Sequence, residues 1–178
     1  MSKILAFSGS SSSKSINQQL VNAVVRRFSN IEVTVIGVRD FPLLVFSVDI
    51  EEADGIPENA ERLKKLFTDH DGFIISSPEH NGSIPTIFKN LVDWLSRMGG
   101  KVFQDKPMLL MSASPGQGGG KTNLDNLLKL MPWWGGEVVG SMSIGGFSEV
   151  FDSESGDFTD TDLEDQLKKI IGSLNKVI

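Results

Sequence analysis

Three short loops carry most of the residues in this sequence that could bind a ligand. The first, residues 8–17, reads S-G-S-S-S-S-K-S-I-N. Serine hydroxyls donate and accept hydrogen bonds and rotate to suit their partner. A helix starting in such a run also presents unpaired N–H groups and the positive end of its dipole, a natural place for phosphate. The plainer reading is a serine turn with Ser15 as helix cap. The second loop, residues 77–83, reads S-P-E-H-N-G-S. Gly82 permits an unusual backbone angle there. Such a turn can aim several N–H and C=O groups one way, matching a flat heterocycle such as the pyrimidine edge of flavin. Asn81 adds a donor and an acceptor, although the same residues also make an ordinary strand-to-helix turn. The third loop, residues 112–122, reads S-A-S-P-G-Q-G-G-G-K-T. Its glycines let the backbone lie close to a planar ligand, or simply form a flexible connector.

Several rival chemistries fail on spacing. Gly120-Lys121-Thr122 resembles the end of a P-loop, but the glycine needed five residues earlier is replaced by Pro115. No later strand ends in the aspartate that would help hold magnesium. The dinucleotide pattern G-x-G-x-x-G is absent. So is the nucleophile elbow G-x-S-x-G, because the run after Gly9 lacks the second glycine. His70 and His80 are the only histidines and cysteine is missing, so no metal site is expected. His80 could stack on or bond to a ligand, or be a solvated loop residue. The acidic stretch 152–165 lacks the glycine placement of a calcium loop and reads as a surface loop followed by an acidic first helical turn. Trp133 and Trp134 are adjacent, so on regular structure only one can face the core.

These loops need a scaffold, and the hydrophobic pattern supplies one. Strands are expected over 3–8, 32–36, 72–77, 106–113 and 137–144. Helices are expected over 15–28, 58–69, 84–98, 123–131 and 159–177, with apolar residues at helical spacing. Ser15 and Gln18 have capping-box spacing. Residues 40–57 read as loop, and Pro132 as the stop of the fourth helix. Runs such as FIIS and MLLM are apolar without alternation, as in strands buried on both faces of a parallel sheet. Alternating strands and helices give a doubly wound α/β fold, with ligands beyond the carboxyl ends of the strands.

The 178 residues suit one domain over 1–178, with no repeat and no linker. The net charge of −6 and the scattered basic residues argue against nucleic acid. No apolar run is long enough to span a membrane, and the start shows no signal-peptide pattern. A cytoplasmic location is the resulting expectation.

Taken together, the three loops resemble those of the NADPH-dependent FMN reductase family, which includes flavin, quinone, azo-dye and chromate reductases. Gly9-Ser10 with Ser15-Ile16-Asn17 is similar to the family's phosphate loop. Pro78-Glu79-His80-Asn81 stands where the family usually has Pro-Glu-Tyr-Asn. Ser83-Ile84-Pro85 and Lys89-Asn90-Leu91-Val92-Asp93-Trp94 are also family-like. Ser114-Pro115-Gly116-Gln117-Gly118-Gly119 lies at the glycine-rich flavin loop. Two residues depart from the pattern: Ser12 stands about where the family often has arginine, and His80 replaces tyrosine.

The resemblance implies a flavodoxin-like five-stranded sheet of order 2-1-3-4-5 with helices on both faces. It implies FMN as cofactor, with NADPH or NADH delivering hydride to the flavin and a small-molecule acceptor then taking the electrons. Ser10, Ser12, Ser15, Ile16 and Asn17 would surround the phosphate. Pro78, Glu79, His80 and Asn81 would lie along the isoalloxazine, with Ser114, Gly116, Gly118 and Gly119 nearby. No side chain is required as acid or base, so no catalytic residue is assigned. A homodimer or homotetramer is implied, with 84–98 and the Trp133–Trp134 turn as contact surfaces. The alternative is a flavodoxin-type electron carrier without its own NAD(P)H activity, which the acidic charge would suit.

Overall fold

The computed structural model describes residues 2–178. Five parallel strands, β1 (Lys3–Ser8), β2 (Glu32–Gly37), β3 (Gly72–Ser76), β4 (Lys106–Ala113) and β5 (Gly136–Ile144), form one sheet in the order 2-1-3-4-5. This is the doubly wound flavodoxin-like arrangement that the sequence reading expects. The sheet reverses direction of growth at β1, so the crevice between the loops after β1 and β3 is where a ligand belongs.

Side chains of each strand alternate between two cores. Leu5, Phe7, Phe73, Ile75, Met108 and Leu110 pack under helices α3 (Glu58–Asp69), α4 (Thr86–Ser96) and α5 (Lys121–Trp134). Ile4, Ala6, Ile74, Leu109 and Met111 meet α1 (Ile16–Val25) and α7 (Thr161–Asn175) on the other face. This is why β1 and β3 are apolar at nearly every position. Burying each such side chain stabilises by roughly 1.5–3 kcal/mol.

Three local expectations need correction. Residues 40–57 are not all loop: α2 (Val48–Asp54) forms there, capped by the Ser47 side chain. It buries no residue of its own, so no hydrophobic period announces it. It is held instead by α4, through Arg97 Nε to the Glu51 carboxylate at 2.9 Å and Arg97 over the Phe46 ring. Second, α5 runs through Pro132 to Trp134. The proline sits in the last turn, and Gly135 in the left-handed region closes the helix with its N–H on the carbonyls of Met131 and Pro132. Third, residues 152–165 are not a plain surface loop before the last helix. A short α6 (Phe147–Val150) precedes a two-stranded hairpin of β6 (Phe151–Asp152) and β7 (Asp157–Phe158). Phe147 and Phe151 stack there, and Phe158 meets both edge-to-face. Of the tryptophan pair, Trp133 is 81% exposed and Trp134 packs on the first core.

Candidate functional site

The three loops meet at the carboxyl edge of β1, β3 and β4. Backbone bonds extend the sheet into them: Gly9 N–H to Ser76 C=O, and Ser77 N–H to Met111 C=O, both at 2.9 Å. Asn17, in the first turn of α1, joins them through its side chain. Its Oδ1 accepts from Ser76 Oγ at 2.7 Å and from Ala113 N–H at 2.9 Å. Its Nδ2 donates to Ala113 C=O at 2.9 Å. The Asn17 side chain is therefore buried scaffold between α1 and the ends of β3 and β4. Of the two kinds of phosphate contact expected around Asn17, side chain and helix N–H, the side-chain atoms are already bonded within the chain.

Around it, Ser15 caps α1, its Oγ accepting from Gln18 N–H at 3.2 Å. Ser10 Oγ accepts from Ser12 N–H, and Ser12 Oγ from Lys14 N–H, each at 3.2 Å. These short-range bonds curl the loop, and Ser8, Ser10, Ser12 and Ser13 line one cleft. Among the described residues, the N–H groups of Ile16 and Asn17 have no acceptor within the chain. The Ile16 side chain packs on the second core. The positive end of α1 is thus open to an anion.

The other helix start at this edge is closed. Glu79 places its carboxylate on the first turn of α5, accepting from Asn123 N–H at 3.0 Å. Asn123 Nδ2 in return donates to Pro78 C=O at 2.9 Å and to Ser77 C=O at 3.1 Å. Lys121 turns outward to Asp125 at 3.0 Å. A P-loop is excluded on geometry, because a carboxylate already fills the place a phosphate would take. Glu79 thus clamps to α5 the Pro78–Asn81 stretch that is expected along a flavin ring.

The tip of this loop is a tight turn. His80 and Ser83 exchange both backbone hydrogen bonds at 3.0 Å, with Asn81 and Gly82 both at positive φ. His80 and Asn81 are exposed, and Pro78 is half-buried. In the loop after β4, Gly116 C=O accepts from Ser114 Oγ at 2.7 Å and from Gly146 N–H at 3.1 Å. Gly116 and Gly118 face open space. Gly119 does not. It is buried at positive φ, and an added Cβ there would meet Ser143 and Gly145.

Sequence reasoning missed Asn123, Ser76 and Ser77. Each is a buried polar residue whose importance lies in partners far along the chain, and no local pattern marks it. Among the described residues, no group of three or more His, Asp or Glu side chains gathers to hold a metal ion, and no helix is long and apolar enough to cross a membrane.

Known proteins resemble this chain in sequence and in fold. The chain is 36% identical to a quinone reductase of Escherichia coli over 83 residues, a segment spanning 47% of this chain and 43% of that protein. It is 32% identical to an NAD(P)H:quinone oxidoreductase of Solanum tuberosum over 67% of this chain and 62% of that one. Both matches span less than two thirds of the relative's length. Among solved structures, the flavoenzyme NAD(P)H:(acceptor) oxidoreductase FerB of Paracoccus denitrificans superposes with a TM-score of 0.77 over 99% of each chain, at 22% identity. An FMN-dependent NADH-azoreductase of Bacillus anthracis, in complex with FMN, superposes at 0.58 over 99% of both chains, at 15% identity. These structural likenesses speak to the fold. The profile of one family matches residues 2–148, most of the chain and all three loops, and the chain therefore belongs to the NADPH-dependent FMN reductase family.

Proposed function

We propose that the protein is an NAD(P)H-dependent FMN oxidoreductase passing electrons to a quinone, free flavin, azo compound or similar small acceptor. One observation carries this reading: the open positive end of α1 lies at the shared edge of three loops, while the start of α5 is closed by Glu79. That leaves one anion seat beside a turn of exposed amides and two open glycines, which suits a ligand with a single phosphate and a flat ring.

In this reading the N–H groups of Ile16 and Asn17, with the hydroxyls of Ser10 and Ser12, hold the phosphate. The backbone at Pro78–Asn81 and the open faces of Gly116 and Gly118 flank the ring. FMN, when bound, supplies the hydride-accepting and electron-donating chemistry. The protein binds, orients and keeps the loops rigid, which is the contribution that proximity requires. Asn17 and Asn123 do this from behind the loops. No residue is assigned an acid or base role.

We further place the protein in the cytoplasm as a single-domain homodimer or homotetramer. The Asn90–Trp94–Arg97 side of α4 is covered by residues 44–51 of its own chain. A partner would therefore meet exposed Leu44, Val45 and Val48, or Trp133, rather than bare α4. Gel filtration returning a strict monomer would refute the assembly.

The test of function is a visible spectrum of the purified protein, titrated first with FMN and then, under nitrogen, with NADPH. Bound flavin that bleaches and recovers on adding a quinone is the expected result. Binding without bleaching by NADPH or NADH would favour the electron carrier, and no binding in excess FMN would overturn the reading.

A further inference from the structure

We propose that Asn81 is a site of spontaneous covalent modification: its side-chain amide is lost through attack by the Gly82 nitrogen, leaving aspartate or isoaspartate at the tip of the turn between β3 and α4. The proposal concerns the chemistry of the chain itself and goes beyond the flavin reading above.

The step needs an accessible asparagine, an unhindered backbone nitrogen after it, and a backbone able to bring the two together. Asn81 is the sole asparagine followed by glycine. Glycine has no Cβ to shield its nitrogen, and the place where one would stand on Gly82 is open space. Both residues are exposed. The two backbone bonds of the turn run between His80 and Ser83, so neither uses the Gly82 N–H. They are the restraint on the turn, and in exposed backbone such bonds contribute only modestly. The Asn81 side chain takes no part in the bonds by which Asn17, Glu79 and Asn123 tie the loops together. The other asparagines are buried or helical, except Asn30, which is exposed but precedes Ile31. A β-branched side chain crowds its own backbone nitrogen.

The atoms balance with water as the one co-reactant. The Gly82 nitrogen gives up its proton to a solvent base and attacks Asn81 Cγ. The N–Cγ bond forms, the Cγ–Nδ2 bond breaks, and ammonia leaves with the proton. Water then opens the five-membered imide. Opening at Cγ gives aspartate, and opening at the main-chain carbonyl gives isoaspartate; nothing is oxidised or reduced. Either product adds one negative charge to a chain already at −6, at the edge where the open end of α1 lies. A new carboxylate there disfavours an anionic ligand. Isoaspartate also lengthens the main chain by a methylene, so His80 and Ser83 lose the register of their paired bonds.

The test ages the folded wild-type chain in mildly alkaline buffer and reads its asparagine-containing peptides by mass spectrometry, with fragmentation that separates isoaspartate from aspartate. Conversion at Asn81 is expected to run at least about tenfold faster than at Asn30, where Ile31 shields the nitrogen. The urea-unfolded chain supplies the rate set by sequence alone, and the folded chain should come within about tenfold of it, as an exposed turn of low local stability allows. A rate at Asn81 no faster than at Asn30 would overturn the proposal. So would a larger slowing by folding, which would mean that the turn locks the amide in place. Asn81→Asp, shown to be folded by circular dichroism, carries the new charge without ageing. Its FMN affinity should fall about threefold, the scale of one solvent-exposed charge. An unchanged affinity would overturn the effect on the ligand, and a fresh wild type that binds no FMN would overturn the functional reading. The conversion at Asn81 decides the modification by itself in both cases.

Discussion

Glu79 and Asn123, 44 residues apart, hold each other across two loops: the carboxylate of Glu79 accepts the Asn123 N–H at 3.0 Å while the Asn123 amide holds the backbone beside Glu79. The negative charge rests on the positive end of α5. Glu79→Gln keeps an acceptor but loses the charge, so a small loss of about 0.5–1 kcal/mol is expected in urea unfolding. Asn123→Ala leaves Ser77 and Pro78 carbonyls without a donor and should cost about 2–3 kcal/mol. A larger loss for Glu79→Gln than for Asn123→Ala would reverse this assignment.

Asn17 makes three buried hydrogen bonds that tie α1 to the ends of β3 and β4. Asn17→Ala should lower stability by about 3 kcal/mol or more, since buried partners are left unpaired. Asn17→Asp should be worse at neutral pH, because a carboxylate oxygen would face the Ala113 carbonyl, and should improve on acidification. Denaturant midpoints across pH separate the two variants. Flavin retention should fall in both.

The glycines of the third loop divide into two kinds. Gly119 and Gly120 have positive φ, and an added Cβ would overlap the Ser143 and Ser112 hydroxyls respectively. Gly119→Ala and Gly120→Ala should each cost about 2–4 kcal/mol, from backbone strain and overpacking. Gly116 and Gly118 have open space at Cβ. Gly116→Ala and Gly118→Ala should leave the melting temperature nearly unchanged and act on flavin affinity alone. Melting curves with and without FMN distinguish the classes.

Arg27 holds Glu164 through two contacts, Nε to Oε1 at 3.0 Å and one terminal nitrogen to Oε2 at 2.6 Å, pinning α7 to the end of α1. The guanidinium holds the Glu164 carboxyl below its ordinary value of 4.5. A depressed carboxyl stabilises the fold above that ordinary value and loses the contribution as pH falls through the lowered one. Wild type should therefore lose part of its melting temperature on acidification below that range. Glu164→Gln should start lower at neutral pH and show a shallower fall. An equally steep fall in the variant would mean the pair is not responsible.

The segment after β2 is clasped to α4 by side chains. Asn90 Oδ1 accepts from Phe46 N–H at 2.8 Å, and Trp94 Nε1 donates to Leu44 C=O at 2.7 Å. Trp94→Phe or Asn90→Ala should release residues 41–54, visible as faster proteolytic cleavage within that stretch while the remaining core stays protected. Cleavage at an unchanged rate would show that α2 is held by other contacts.

Sequence alone determined the parts that depend on local pattern. Continuous apolar runs in β1, β3 and β4 require burial on both faces, and their alternation with amphipathic helices leaves a doubly wound parallel sheet as the economical answer. The serine loop could be placed at a helix start because Ser15 has cap chemistry and Gln18 the right spacing. The failure of the P-loop pattern at Pro115 could also be read directly. What tertiary structure decided is which atoms of those loops are free. Asn17 and Glu79 look like ligand contacts in sequence, yet their side chains are engaged by Ala113, Ser76 and Asn123, residues that come near only when the sheet forms. Likewise α2 is tied down by Arg97 at the end of α4, which holds Glu51, and α5 passes Pro132 with Gly135 closing it. Buried polar groups must find partners, and the partner's position along the chain leaves no mark on the local sequence.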